Sequence, residues 1–281
     1  LQGRPPFSMT GIALSEAEGG SGLGATEEAL IVLELGRRVV APAVLASLGL
    51  AHFPLAALRL QDASARRVAA GYRREQRVVF VDEPGAELLL VRAASDAALY
   101  ERPQVSRLLD AQLWSSRLFQ TVELGRPLAL ATPAQLLRLR LIDAAALAGL
   151  AKTALEMAVA YAGLREQFGR PIGTFQAIKH HCANMALAAR CACDQVSFAA
   201  VALDDEREDA ALQVESAVYV AGSAALENCG KNIQVHGGIG FSDEADPHRL
   251  LKRARVLVEI AGGMEAALTR IAACPAQRGA S

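Results

Sequence analysis

Apolar residues recur along this chain at two different spacings. After a glycine-rich stretch at residues 19–24 they return every third or fourth position from Ala29 onward, the period of one helix face, with Thr26 as the predicted N-cap. From residue 77 the pattern shortens to the runs "RVVFV" and "ELLLVRA", parted by the turn sequence "DEPG". That pattern predicts a hairpin inside a small β region over residues 75–128. Beyond Thr132-Pro133 the helical period takes over. Residues 134–167, 174–203 and 210–236 are too long and too alanine-rich for strands, and a Gly-Arg-Pro turn and the charged loop "DDEREDA" separate them. A shorter amphipathic piece, "DPHRLLKRARVLVEI", follows a glycine cluster. Four such faces are buried most simply in an antiparallel four-helix bundle, so the expected fold is mainly α.

Composition narrows the picture. With 52% hydrophobic and 21% charged residues over 281 positions, the chain can bury a substantial core. Lys plus Arg number 29 and Asp plus Glu 30, a net charge of −1 that leaves no electrostatic footprint for nucleic acid. Five cysteines, an odd number and mostly in helical stretches, argue against a disulfide framework and for a reducing, cytoplasmic setting. Residues 39–58 carry no formal charge, a length sufficient to cross a bilayer. Pro42 and Pro54 interrupt them, so a buried helix pair is expected rather than a membrane span. The opening "LQGRPPFSMTG" has no apolar core of a signal peptide.

Candidate chemistry is sparse. No glutamate has a histidine three residues later, which removes the di-iron bundle pattern. His180, His181 and Cys182 are adjacent and fan out by about 100° each on a helix, so they cannot share an ion, and no metal site is expected. Neither a G-x-S-x-G elbow nor a Walker sequence occurs. Two segments remain. Arg165 and Phe168, three apart near a predicted helix end, would share one face, where a guanidinium can hold a pyrophosphate and a ring can pack on an adenine. A surface arginine beside a core phenylalanine explains the pair equally well. In "QVHGGIGF", Gly237 and Gly238 either stop a helix or let backbone approach a phosphate-bearing ligand, with the Gln234 amide one turn earlier.

Taken together, "YAGLREQFGRPIGTFQAIKHHCANMA" and, about sixty residues later, "IQVHGGIGFSDEADPHRLLKRAR" resemble the carboxyl-terminal helical domain of the acyl-CoA dehydrogenases. The resemblance is strong over residues 133–263. Upstream it is weaker and implies a partial N-terminal helical domain (1–74) and a small, reduced β middle domain (75–131) ahead of the helical bundle domain (132–281). It further implies that Arg165, Gln167, Phe168, Gln176, Gln234, Gly237 and Gly238 contact the ADP part of FAD, much of it across subunits, in a homo- or hetero-oligomer formed through the bundle. Ala186, Leu187, Ala189 and Val196 widen the apolar surface of the second long helix, as a helix covered by a neighbouring subunit requires.

The family reaction removes an α-proton from an acyl-CoA thioester with a carboxylate while hydride passes to the flavin. Counting from Gly240, the usual glutamate falls on Ala261, or on Gly262 with a one-residue shift, and neither accepts a proton. The alternative position falls near Leu139, beside Arg140. Glu259 is the nearest carboxylate, but two residues along a helix turn it about 200° away. On the flavin-ring side the matching strand is residues 79–82, without tryptophan or threonine, and Trp114 reads as a packing residue. The expected protein is therefore an acyl-CoA dehydrogenase-like flavoprotein subunit, resembling partner subunits of actinobacterial heteromeric enzymes that act on steroid side chains. It would act on an acyl-CoA substrate, with an electron-transfer acceptor. A competent enzyme with a relocated base and a helical interaction protein without FAD stand as alternatives.

Overall fold

The computed structural model describes residues 11–12, 20–54, 67–113 and 116–275; Trp114 and residues 55–58 of the uncharged stretch lie outside them. Helix α1 (Ala25–Arg37) has Gly24 as its N-cap, so Thr26 sits in the first turn rather than at the cap. The reason is a cap from elsewhere in the chain. The Asp204 carboxylate accepts from the Ala25 N–H at 2.6 Å, the Thr26 N–H at 2.8 Å and the Thr26 hydroxyl at 2.6 Å. Helix α2 (Pro42–Leu50) begins on its proline and is 9 residues long, so the uncharged stretch is no continuous span.

Among the described residues a seven-stranded sheet follows. Its strands are β1 (Val68–Arg74), β2 (Arg77–Val81), β3 (Leu88–Arg92), β4 (Ala97–Glu101), β5 (Arg107–Leu113), β6 (Ser116–Thr121) and β7 (Ala129–Leu130), in the order β5-β6-β2-β1-β3-β4-β7. The two apolar runs are not hairpin partners. β1 lies between them, antiparallel to β2 (Gly71 opposite Phe80) and parallel to β3 (Ala70 opposite Leu90). The β1 sequence "VAAGYRR" is poor in β-branched residues, so its strand character comes from its neighbours and not from its own propensity. One face of the sheet, with Val68, Ala70, Val81 and Leu90, packs on Ala46 and Leu50 of α2. The other carries Phe80, Leu89, Val91 and Tyr100.

The rest is helical: α3 (Pro133–Leu164), α4 (Gln176–Asp204), α5 (Ala210–His236), α6 (Pro247–Ile260) and α7 (Met264–Ala273). Thr132 and Gln135 close a capping box at the start of α3, at 3.3 and 2.7 Å. Helices α3, α4 and α5 pack on one another, α6 lies on α5 and α3, and α1 lies on α3. The chain is thus mainly α with a small mixed sheet and a C-terminal helical domain. Alanines such as Ala144, Ala148, Ala151, Ala192, Ala217 and Ala221 are fully buried, which lets these helices approach closely. Helix α4 is, by length and composition alone, apolar enough to cross a membrane. It also carries Lys179, Arg190 and Asp194 exposed along its length.

Candidate functional site

Helix α3 stops at Leu164, short of the predicted 167, because the chain turns back on itself. Residues Glu166–Gln167 (β8) pair with Arg170–Pro171 (β9), and Phe168 and Gly169 turn the ribbon with φ of 56° and 76°. Proline at 171 cannot continue a helix. Arg165 and Phe168 therefore do not share a helix face. Arg165 is the C-cap of α3, its N–H donating to the Tyr161 carbonyl at 2.8 Å and its own carbonyl accepting from the Ile172 N–H at 2.8 Å. Phe168 is 91% exposed and stands edge-on to Phe175, whose face carries the Arg170 guanidinium 4.3 Å from the ring centroid.

At this junction the structure forms an open pocket of about 390 Å³ between the end of α3 and the end of α5. Arg165, Gln167, Gly237 and Gly238 line it, joined by Tyr161 and His236, with Ile172, Val235 and Ile239 as apolar walls. Phe168, Gln176 and Gln234 are exposed nearby but do not line it. The Arg165 guanidinium has no hydrogen bond or ion pair among the described residues. Gly237 ends α5 at φ 67°, a conformation that favours glycine, and a Cβ on either Gly237 or Gly238 would meet nothing within 4 Å, so a ligand can reach this backbone. Both helices present their carbonyl ends here. Their dipoles repel an anion, which leaves Arg165 as the positive charge of the pocket. On the floor, the Tyr161 and His236 rings stack with centroids 4.0 Å apart. His236 Nδ1 donates to the Asn232 carbonyl at 2.8 Å. Burial lowers the His236 pKa from its ordinary value and outweighs that hydrogen bond, which raises it.

The turn between α6 and α7 has a different character. Ala261 is 4% exposed and closes α6, while Gly262 and Gly263 follow with φ of 97° and 85°. The surroundings are filled by ion pairs. Glu215 of α5, 3% exposed, pairs with Arg140 of α3 and, at 2.8 Å, with Arg270 of α7. Both arginines also donate to the Ala94 carbonyl at the β3–β4 turn, at 3.2 and 2.6 Å, and Arg270 reaches the Ala261 carbonyl at 3.5 Å. Leu139 is fully buried in the core beside the sheet. Glu259 lies within electrostatic reach of Tyr72 on β1, on the sheet side of α6. Phe80 and Val81 of β2 are buried in packing, and Asp82 is held by Arg102 at 2.9 Å.

Residues 129–274 match the family described as acyl-CoA dehydrogenase, C-terminal domain. The chain belongs to the acyl-CoA dehydrogenase family. Within it, acyl-CoA dehydrogenase IpdE2 of Mycobacterium tuberculosis (strain ATCC 25618 / H37Rv) is 30% identical over 252 residues, covering 86% of this chain and 76% of that protein. Acyl-CoA dehydrogenase FadE34 of the same organism is 41% identical over 135 residues, covering 46% of this chain and 18% of its own length. In several relatives the shared segment is less than a third of the whole protein. Among solved structures, the ChsE4-ChsE5 complex from Mycobacterium tuberculosis shares the fold with a TM-score of 0.72 at 22% identity, over 95% of this chain and 84% of that one.

Two groups of residues around the pocket and the α6–α7 turn escaped the sequence reading. Tyr161, in the last turn of α3, stands four residues before its C-cap Arg165, and His236 lies inside "QVHGGIGF", so the stacked floor of the pocket was present in the motifs without being singled out. Glu215 is the other. It stands as a lone charge in the apolar first half of α5, and that isolation was the available signal.

Proposed function

We propose that this chain is an acyl-CoA dehydrogenase-like subunit that binds the ADP part of FAD at the pocket between α3 and α5, completes a FAD site within an oligomer, and does not supply the catalytic base. The observation that carries the reading is the pocket itself. An unpaired guanidinium, approachable glycine backbone and a stacked aromatic floor meet in about 390 Å³, within the range of small-ligand sites. Those residues suit a pyrophosphate and an adenosine. Phe168, exposed on its ribbon, offers further stacking surface to a ligand or to a neighbouring subunit.

When bound, FAD supplies the hydride acceptor of the family reaction. The residues of this chain would hold the pyrophosphate at Arg165 and the adenosine against Gly237, Gly238 and the α5 end. The absence of a base is supported by Ala261 and Gly262 and by the engagement of Glu215 with two arginines, which leaves its carboxylate oxygens occupied. A partner chain of the same family would then bring the proton acceptor, with an acyl-CoA as substrate and an electron-transfer protein as acceptor. The ChsE4-ChsE5 complex, an assembly of two named proteins, supports such pairing. The experiment is a titration of FAD into the purified protein. Arg165→Ala should weaken binding tenfold to a hundredfold, the loss of a charge-assisted contact of about 1.5–3 kcal/mol. Unchanged affinity in that variant contradicts the assignment.

A further inference from the structure

The Tyr161–His236 pair has a property that its place in the pocket makes useful. The Asn232 main-chain oxygen, 2.8 Å from His236 Nδ1, can only accept, so Nδ1 must carry the proton. In the neutral ring Nε2 is then an acceptor. Nε2 has no hydrogen bond among the described residues and is not sealed from solvent, while the ring lines the pocket and its orientation is fixed by the stack on Tyr161. We infer that His236 reads the ligand: its Nε2 accepts a hydrogen bond from a hydroxyl or amino donor on the adenosine portion of a nucleotide whose pyrophosphate is held by Arg165. This rests on the proposed FAD site and adds to it a division of labour, charge recognition by Arg165 and donor recognition by His236.

The surroundings favour a donor over a phosphate at that atom. The pocket lies at the carbonyl ends of α3 and α5, whose negative dipole ends attract ligand O–H and N–H groups and repel phosphate oxygens. Of the titratable and charged groups that face the ring, Tyr161 stacks on it from α3 and Arg165 shares the pocket. The ring's titration is governed by burial and by the Asn232 bond. Its neutral form therefore prevails at neutral pH, and acidification converts Nε2 from acceptor to donor.

The test is flavin-fluorescence titration of FAD into the full chain, wild type against His236→Phe and Arg165→Ala. Phenylalanine keeps a ring on Tyr161 and removes the acceptor. His236→Phe should weaken binding about tenfold at neutral pH. Wild-type affinity should fall as pH drops through the histidine range, whereas the His236→Phe affinity stays flat, because the pyrophosphate diester itself does not titrate there. A rise in wild-type affinity on acidification places Nε2 against phosphate and overturns the inference. So does a ¹⁵N resonance of His236 that shows Nε2 protonated in the neutral ring, a readout that needs no ligand. Weakened binding in Arg165→Ala with unchanged binding in His236→Phe overturns this inference alone. No binding by the wild type overturns it together with the FAD reading.

Discussion

Asp143 on α3 has no exposed surface and faces Arg92 of β3, which is 2% exposed, with Arg92 Nε 3.2 Å from the carboxylate. The two are close in distance yet not aligned, and neither the guanidinium nitrogens nor the carboxylate oxygens form a directed hydrogen bond. Burial pushes the Asp143 carboxyl up to about 6, against the pull of Arg92 and Arg140 toward lower values. An unfolded aspartate titrates near about 4, so between about 4 and 6 the folded chain binds more protons than the unfolded one. The stabilisation from this group is complete below that window and is lost as pH rises through it. Denaturant unfolding should thus show the wild type gaining stability relative to Asp143→Asn as pH falls across that range. The opposite slope would mean that the ion pair, rather than desolvation, governs the site.

At the scale of elements, the α1–α3 contact depends on two glycines. A Cβ on Gly149 would lie 2.1 Å from the Leu33 carbonyl oxygen and 2.7 Å from the Arg37 nitrogen, and one on Gly36 would lie 2.3 Å from the Ala146 oxygen. Backbone cannot yield as a flexible side chain can, so Gly149→Ala should destabilise the chain by about 1–3 kcal/mol despite its better helix propensity. A thermal or denaturant midpoint that does not fall would show that α1 can move off α3. This contact was invisible in the sequence, where Gly149 is one small residue in an alanine-rich helix. The long helices were legible, since α5 ends at His236, where the expected helix over 210–236 stops, and α3 begins at Pro133, one residue before the expected 134. What misled was non-local. Asp204 caps α1 from the far end of α4, β1 separates two strands that read as a hairpin, and the ribbon at Phe168–Gly169 ends α3 early. The site was partly legible for the same reason: Arg165 and the Gly237–Gly238 pair meet because two helix ends converge, a convergence that spacing alone does not give.

For the whole molecule, the proposed function links assembly to chemistry. Helix α4 keeps Ala189 and Val196 in the core but leaves Leu187, Phe198 and Val201 at 66%, 45% and 42% exposure, an apolar surface outside the chain's own packing. Sedimentation at micromolar concentration should therefore find a dimer or larger assembly, and a stable monomer would contradict the shared FAD site. The turn at residues 261–263 is joined to the sheet through Arg270, which with Arg140 donates to the Ala94 carbonyl and pairs with Glu215. Under the proposed function, the chain holds flavin but does not reduce it with an acyl-CoA on its own. The most direct measurement is anaerobic addition of a series of acyl-CoA thioesters to the FAD-loaded chain while the visible flavin band is followed. No bleaching is expected from this chain alone. Bleaching that disappears in Glu259→Gln or Glu215→Gln would contradict this, and would make the chain a dehydrogenase with its own relocated base.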